Sequence, residues 1–170
     1  MRLYGAKVSP LSTEVVRTLV NAKDIETDQQ KEVVADVESV LRSYLDTEKQ
    51  VDDKTRDLLQ RTGRGPSEFQ KVKAQIASSH GIKVGDEALD YLLDQVVEML
   101  LHSNNVEEVF AEDIVLRRKM IPIFKKYIGA DDALDAEVRA QITHVKEGTS
   151  QWDIEYNRVM EATKRKKGLS

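Results

Sequence analysis

Apolar residues recur along this chain at intervals of three and four, the spacing that places side chains on one side of an α-helix. Leu11, Val15, Val16, Leu19 and Val20 form the first such stripe. Ser9 followed by Pro10 has the form of an N-cap with proline at the first helical position, so a helix is predicted over roughly 10–22. Thr27 and Gln30 have capping-box spacing ahead of Val33, Val34, Val37, Val40, Leu41, Tyr44 and Leu45, a second helix ending near Glu48. Asp52 then caps a short third helix bearing Leu58 and Leu59, which Gly63-Arg64-Gly65-Pro66 breaks. A fourth helix with Phe69, Val72 and Ile76 stops at Gly81.

The most regular stripe follows Gly85: Leu89, Leu92, Leu93, Val96, Val97, Leu100 and Leu101 are expected to centre the core. The next helix, from about Ala111 to Ile128, contains Pro122, which removes one backbone donor and predicts a kink. Asp135 caps a helix with Val138, Ile142 and Val145, Gly148 ends it, and the last helix presents Trp152, Tyr156, Val159 and Met160. No segment alternates with period two, so the reading is all-α with no sheet.

The pattern also repeats. Displacing the chain by 83 residues sets Val33 on Leu116, Val37 on Met120, Val40 on Ile123, Leu41 on Phe124, Leu45 on Ile128, Leu59 on Ile142 and Phe69 on Trp152. Tyr44 and Tyr127, Asp52 and Asp135, Arg56 and Arg139, Gly65 and Gly148, and Ser67 and Ser150 are identical in that register. Upstream the displacement is 77, with Val15, Val16, Leu19 and Val20 on Leu92, Leu93, Val96 and Val97, which leaves six extra residues near Asn104 to Val109. The architecture predicted is two tandem antiparallel helical units, residues 1–84 and 85–170, packed with pseudo-two-fold symmetry because neither buries its apolar face alone. Trp152 is expected to occupy the place of Phe69, both at least half buried.

Met1-Arg2-Leu3 with Lys7-Val8, the segment Phe69-Gln70-Lys71-Val72-Lys73 running to Gly81-Ile82, and Gly148-Thr149-Ser150-Gln151-Trp152-Asp153-Ile154-Glu155-Tyr156 carry a family resemblance. In these residues the chain resembles the bacterial family catalogued as domain of unknown function 507, here as two tandem copies. The resemblance implies a small helical cytoplasmic bacterial protein and brings no reaction, cofactor or catalytic residue with it.

Composition narrows the function by exclusion. A chain of 170 residues buries one substantial core, or two small ones sharing an interface. It has no cysteine, which removes disulfides, thiolate catalysis and cysteine-ligated metal centres and points to a reducing compartment. Lys7, Glu14 and Arg17 interrupt any signal-peptide core, so a cytoplasmic location is expected. The most apolar run, Val96 to Leu101, contains Glu98 and is far shorter than the roughly 20 residues of a membrane span, so no membrane association is expected. Residues 1–84 carry 14 basic and 13 acidic groups and residues 85–170 carry 12 and 17, so the net charge of −4 arises in the second half.

No catalytic constellation is legible. Gly63-Arg64-Gly65-Pro66-Ser67 lacks the Gly-Lys-Ser ending of a phosphate loop and reads as a helix–helix turn; its alternative is an anion site assisted by Arg61 and Arg64. His80, His102 and His144 never pair at metal-ligand spacing and read as surface residues. Asp131, Asp132 and Asp135 lack the order of a calcium loop and read as helix caps. No metal or cofactor is implied.

Two features remain as candidate sites. Asp52 with Arg56, and Asp135 with Arg139, stand at i and i+4, where carboxylate and guanidinium meet on one helix face. Such exposed pairs contribute only about 0.3–0.5 kcal/mol, which leaves Arg56 and Arg139 as candidate partner-docking residues. Lys164, Arg165, Lys166 and Lys167 close the last helix, where cations oppose the negative end of its dipole. With Arg158 two turns upstream of Arg165, they are candidate polyanion-binding residues. The expected function is a non-enzymatic interaction or scaffolding module for a cytoplasmic protein partner. The alternative is a nucleic-acid or ribosome-associated factor using the basic C-terminal helix, and an enzyme is the least supported class.

Overall fold

The computed structural model describes residues 3–128, 130–146 and 149–168, and the side chains of all of these except 130–133. Gly148, predicted to end a helix, and the side chains of Asp131 and Asp132 lie outside the described residues. The chain is all-α. Its elements run α1 (Gly5–Asn21), β1 (Ile25–Glu26), α2 (Gln30–Thr62), α3 (Phe69–Ser79), α4 (Ala88–His102), β2 (Glu108–Val109), α5 (Asp113–Ile128), α6 (Ala130–Gln141) and α7 (Ser150–Lys166).

Several boundaries differ from the sequence reading, each because burial overrides a local punctuation mark. Helix α1 starts a turn before Ser9-Pro10, with Tyr4 at the N-cap and Pro10 inside the helix. Tyr4 and Val8 are themselves buried, so packing extends the helix upstream although Pro10 offers no N–H to the carbonyl four residues before it. The second and third predicted helices are one 33-residue helix, α2. Val51 and Thr55 are fully buried and carry the apolar stripe through the polar stretch that reads as a break. Thr55 satisfies its hydroxyl on the Val51 carbonyl at 2.7 Å. Asp52 is therefore mid-helix and caps nothing; Gly63, at φ 68°, supplies the left-handed residue that ends α2. Asp135 likewise lies within α6 and does not open it.

The expectation of no sheet is also corrected. β1 and β2 form a two-stranded antiparallel ribbon in which Ile25 pairs with Val109 and Glu26 with Glu108. Strands of two residues are too short for alternation to register. Thr27 belongs to this ribbon and does not cap α2: its hydroxyl donates to the Asn105 carbonyl at 2.5 Å and accepts from the Gln29 N–H at 2.9 Å. The N-cap of α2 is Gln29, with no side-chain bond.

Helix α1 packs on α2 and α5, and α4 packs on α5 and α2. The main core accordingly runs from Leu3 to Ile128 and draws on both sides of residue 84, with Leu11, Leu41, Leu93, Met120 and Phe124 among its fully enclosed side chains. A second cluster joins Tyr4 to Leu134, Val138 and Ile142 on the α6 side and Val159 and Met160 of α7. Trp152 and Tyr156 pack against it.

Polar contacts lock the loops crosswise. Asp36 of α2 accepts from Ser103 Oγ at 2.6 Å and Asn105 Nδ2 at 2.9 Å, holding the loop before β2. Lys119 of α5 donates to the buried Asp24 at 2.6 Å, holding the turn before β1. Between α1 and α5, the Tyr127 hydroxyl donates to Glu14 at 2.6 Å and Lys126 reaches the same carboxylate at 3.1 Å.

The bond from Tyr127, then Lys126, holds the Glu14 carboxyl below its ordinary range. A depressed folded pKa contributes stability above the unfolded value of about 4.3, lost as pH falls through the folded value. Glu14→Gln is therefore expected to cost about 1 kcal/mol at pH 7, a figure reduced for solvent screening. The deficit should close below the folded pKa of Glu14, as read by urea denaturation across pH 3–7. A deficit that is constant across that range contradicts the assignment.

Candidate protein-interaction surface

The two arginines singled out in the sequence occupy matching surroundings. The Arg56 guanidinium lies 5.9 Å from the centroid of the Phe69 ring, and that of Arg139 lies 5.2 Å from Trp152 and 5.9 Å from Tyr156. Such cation–π contacts contribute about 0.5–1 kcal/mol at exposed sites. Phe69 and Trp152 are both half-buried. The predicted i and i+4 ion pair forms for Asp135 and Arg139, at 2.9 Å. It does not form for Asp52, whose carboxylate meets Lys73 of α3 at 2.9 Å, while Arg56 turns to Asp53 at 3.7 Å. The half-buried Lys73 draws Asp52 off the arginine because an ion pair with little exposure is less screened. Asp135 also accepts from the Tyr156 hydroxyl. Burial, then that bond, raises the Tyr156 phenol above its ordinary range.

The basic residues at the end of α7 are largely engaged. Arg158 pairs with Glu155 at 2.7 Å and Lys167 with Glu137 of α6 at 2.6 Å. Lys164 is only 12% exposed, pairs with Glu161 at 3.5 Å and sits 4.2 Å from the Tyr4 ring centroid. Arg165 donates to the Glu161 carbonyl at 3.4 Å, and Lys166 is exposed. At the turn after α2, Arg61 pairs with Asp57 at 2.5 Å and Arg64 with Glu68 at 3.8 Å, so carboxylates already occupy both candidate anion ligands. His102 and His144 are exposed, and the half-buried His80 meets Lys54 at 3.0 Å.

The surface that sequence reading missed lies at the ribbon. Phe110 and Ile114 are 59% and 61% exposed, four residues apart where β2 passes into α5. Arg117 of α5 bonds Asp94 and Asp90 of α4, and Leu101, 46% exposed, stands in the last turn of α4. Glu26 and Glu108 stand opposite each other in the ribbon, and Glu112 and Asp113 open α5. The helical phase held a clue: Ile114 lies off the stripe of Leu116, Met120, Ile123 and Phe124 that α5 buries.

Among the described residues, no group of three histidine or acidic side chains is placed to hold a metal ion, and no helix is long and apolar enough to cross a membrane. Two shallow grooves lie among the described residues, one along α2 beside Ser39 and Arg42 and one between Asp36 and His102.

Fold and surface together define a small all-α protein with two exposed large apolar side chains, Phe110 and Ile114, beside a two-stranded ribbon. Over residues 1–169 the chain matches the family model described as "Protein of unknown function (DUF507)", and it belongs to that family. No curated protein matches it.

Proposed function

We propose that the chain is a protein-interaction module made of two copies of one helical unit, residues 1–84 and 85–170, which pair about a local two-fold axis at the ribbon. In the 83-residue register Ile25 corresponds to Glu108 and Glu26 to Val109, so the pairing of Ile25 with Val109 and Glu26 with Glu108 is what a two-fold between the strands requires. The packing of α1 on α5 has its counterpart in α4 on α2. Asp36 and Lys119, 83 residues apart, each hold the turn or loop that leads into one strand of the ribbon, on the far side of residue 84 from their own helix. Arg56 over Phe69 corresponds to Arg139 over Trp152, and Asp52 with Lys73 to Asp135 with Tyr156. The six extra residues then lengthen the end of α4 and the loop before β2.

The observation that carries the interaction reading is the exposure of Phe110 and Ile114, four residues apart where β2 of the ribbon passes into α5. Large apolar side chains exposed in this way favour a macromolecular partner over a small substrate. Capture from a cell lysate, with and without nuclease, tests it. The Phe110→Ser/Ile114→Ser variant is expected to lose nuclease-resistant protein partners that the wild-type chain retains. Arg56→Glu and Arg139→Glu, tested singly, locate any contribution from the two arginines. Partners that vanish with nuclease, and that persist in the Phe110 and Ile114 variant, would defeat the reading and favour binding through Arg158 and the basic end of α7.

A further inference from the structure

Phe110 and Ile114 are set among six carboxylates, which outnumber the cations beside them, Lys23 and Lys31 flanking β1 and Arg118 one turn after Ile114 in α5. Glu26 and Glu108 are cross-strand partners, an arrangement that is destabilising for like charges. Directly beside them the Glu107 N–H donates to the Glu26 carbonyl at 2.8 Å. A hydrogen bond between the Glu107 and Asp28 side chains, together with the Asp28 charge, raises the Glu107 carboxyl above its ordinary range. Glu112 and Asp113 follow Phe110 after one residue, Ala111. None of these six acidic residues makes an ion pair among the described residues, and neither do Lys23 and Lys31, which flank β1. The opposite condition holds at the end of α7, where Arg158, Lys164 and Lys167 have carboxylate partners within the chain.

This charge is spread along the ribbon and the start of α5. Among the described residues no three carboxylates converge as metal ligands, so one cation does not satisfy them. What matches is a row of side-chain cations on a segment that also carries an apolar face for Phe110 and Ile114. We propose that the ribbon end docks a basic amphipathic helix of a partner protein, with its apolar face on Phe110 and Ile114 and its lysines or arginines against Glu26, Asp28, Glu107, Glu108, Glu112 and Asp113. The proposal rests on the interaction reading and names the chemistry of the partner. Complementary charge would then steer encounter and select against acidic helices.

The test uses the full chain and two labelled helical peptides of equal length sharing one leucine face, one with lysine and one with glutamate at the polar positions. Fluorescence anisotropy is expected to show the lysine peptide bound about tenfold or more tightly than the glutamate peptide, and more weakly as salt is raised. Glu107→Lys/Glu108→Lys and, separately, Phe110→Ser/Ile114→Ser should each weaken it about tenfold. Glu107→Gln/Glu108→Gln should give an intermediate loss. All four substituted side chains, Glu107, Glu108, Phe110 and Ile114, are exposed, so circular dichroism should match the wild-type chain. Equal binding of both peptides, sensitive only to the apolar substitutions, overturns the assignment of a basic partner and leaves the interaction reading standing. Binding of neither peptide, or binding indifferent to both sets of substitutions, also overturns it. The interaction reading itself fails only if the lysate capture yields no protein partner dependent on Phe110 and Ile114.

Discussion

Phe124→Ala is expected to destabilise the folded chain by about 3–5 kcal/mol, the range for truncating a large enclosed aromatic side chain. Phe124 is fully buried in α5, and α5 packs on both α1 and α4. The cavity therefore opens where helices from the two sides of residue 84 meet, and it cannot collapse without moving both. For a chain of this size the loss corresponds to a fall in melting temperature of roughly 10 °C. Urea denaturation should show a lower midpoint with an unchanged slope. Ile154→Ala provides the contrast: its side chain is 67% exposed, and the change should stay within about 0.5 kcal/mol. Equal effects of the two substitutions would mean that α5 is not central to the packing.

Helix existence and helix faces were legible from periodicity, because each helix buries one stripe. Leu92, Leu93, Val96, Val97 and Leu100 are all buried on the predicted α4, and Leu116, Met120, Ile123 and Phe124 on α5. The boundaries were less legible because the marks that punctuate a sequence act locally, whereas burial acts across the fold. Ser9-Pro10 is a good helix start that Tyr4 and Val8 override, and Asp52 is a good cap that Val51 and Thr55 override. The ribbon was beyond pattern reading, since two-residue strands carry no period; what holds it is the crosswise anchoring by Asp36 and Lys119.

The candidate surface was less legible than the fold for a related reason. Charge runs such as Lys164 to Lys167 stand out in a sequence, yet ion pairing with residues distant in the chain, such as Glu137 for Lys167, decides whether they are available. The carboxylates of the ribbon end come from two stretches about 80 residues apart and become one surface only through strand pairing. Exposure of Phe110 and Ile114 depends on which side of α5 the rest of the fold covers, and that is settled by packing.

If the ribbon end is where two units meet, then both the core and the docking surface require both units. Glu26 and Asp28 lie in residues 1–84, while Glu107, Glu108, Phe110, Glu112, Asp113 and Ile114 lie in residues 85–170. Separately, the first half lacks α5 against α1, and the second lacks α2 against α4. Each would expose much of the apolar surface that the shared core encloses. The direct measurement is circular dichroism with thermal unfolding and lysine-peptide anisotropy on residues 1–84, on residues 85–170 and on their equimolar mixture. The account predicts no cooperative transition and no peptide binding for either half alone, with both restored on mixing. Cooperative unfolding of residues 85–170 alone, with undiminished peptide binding, would contradict it.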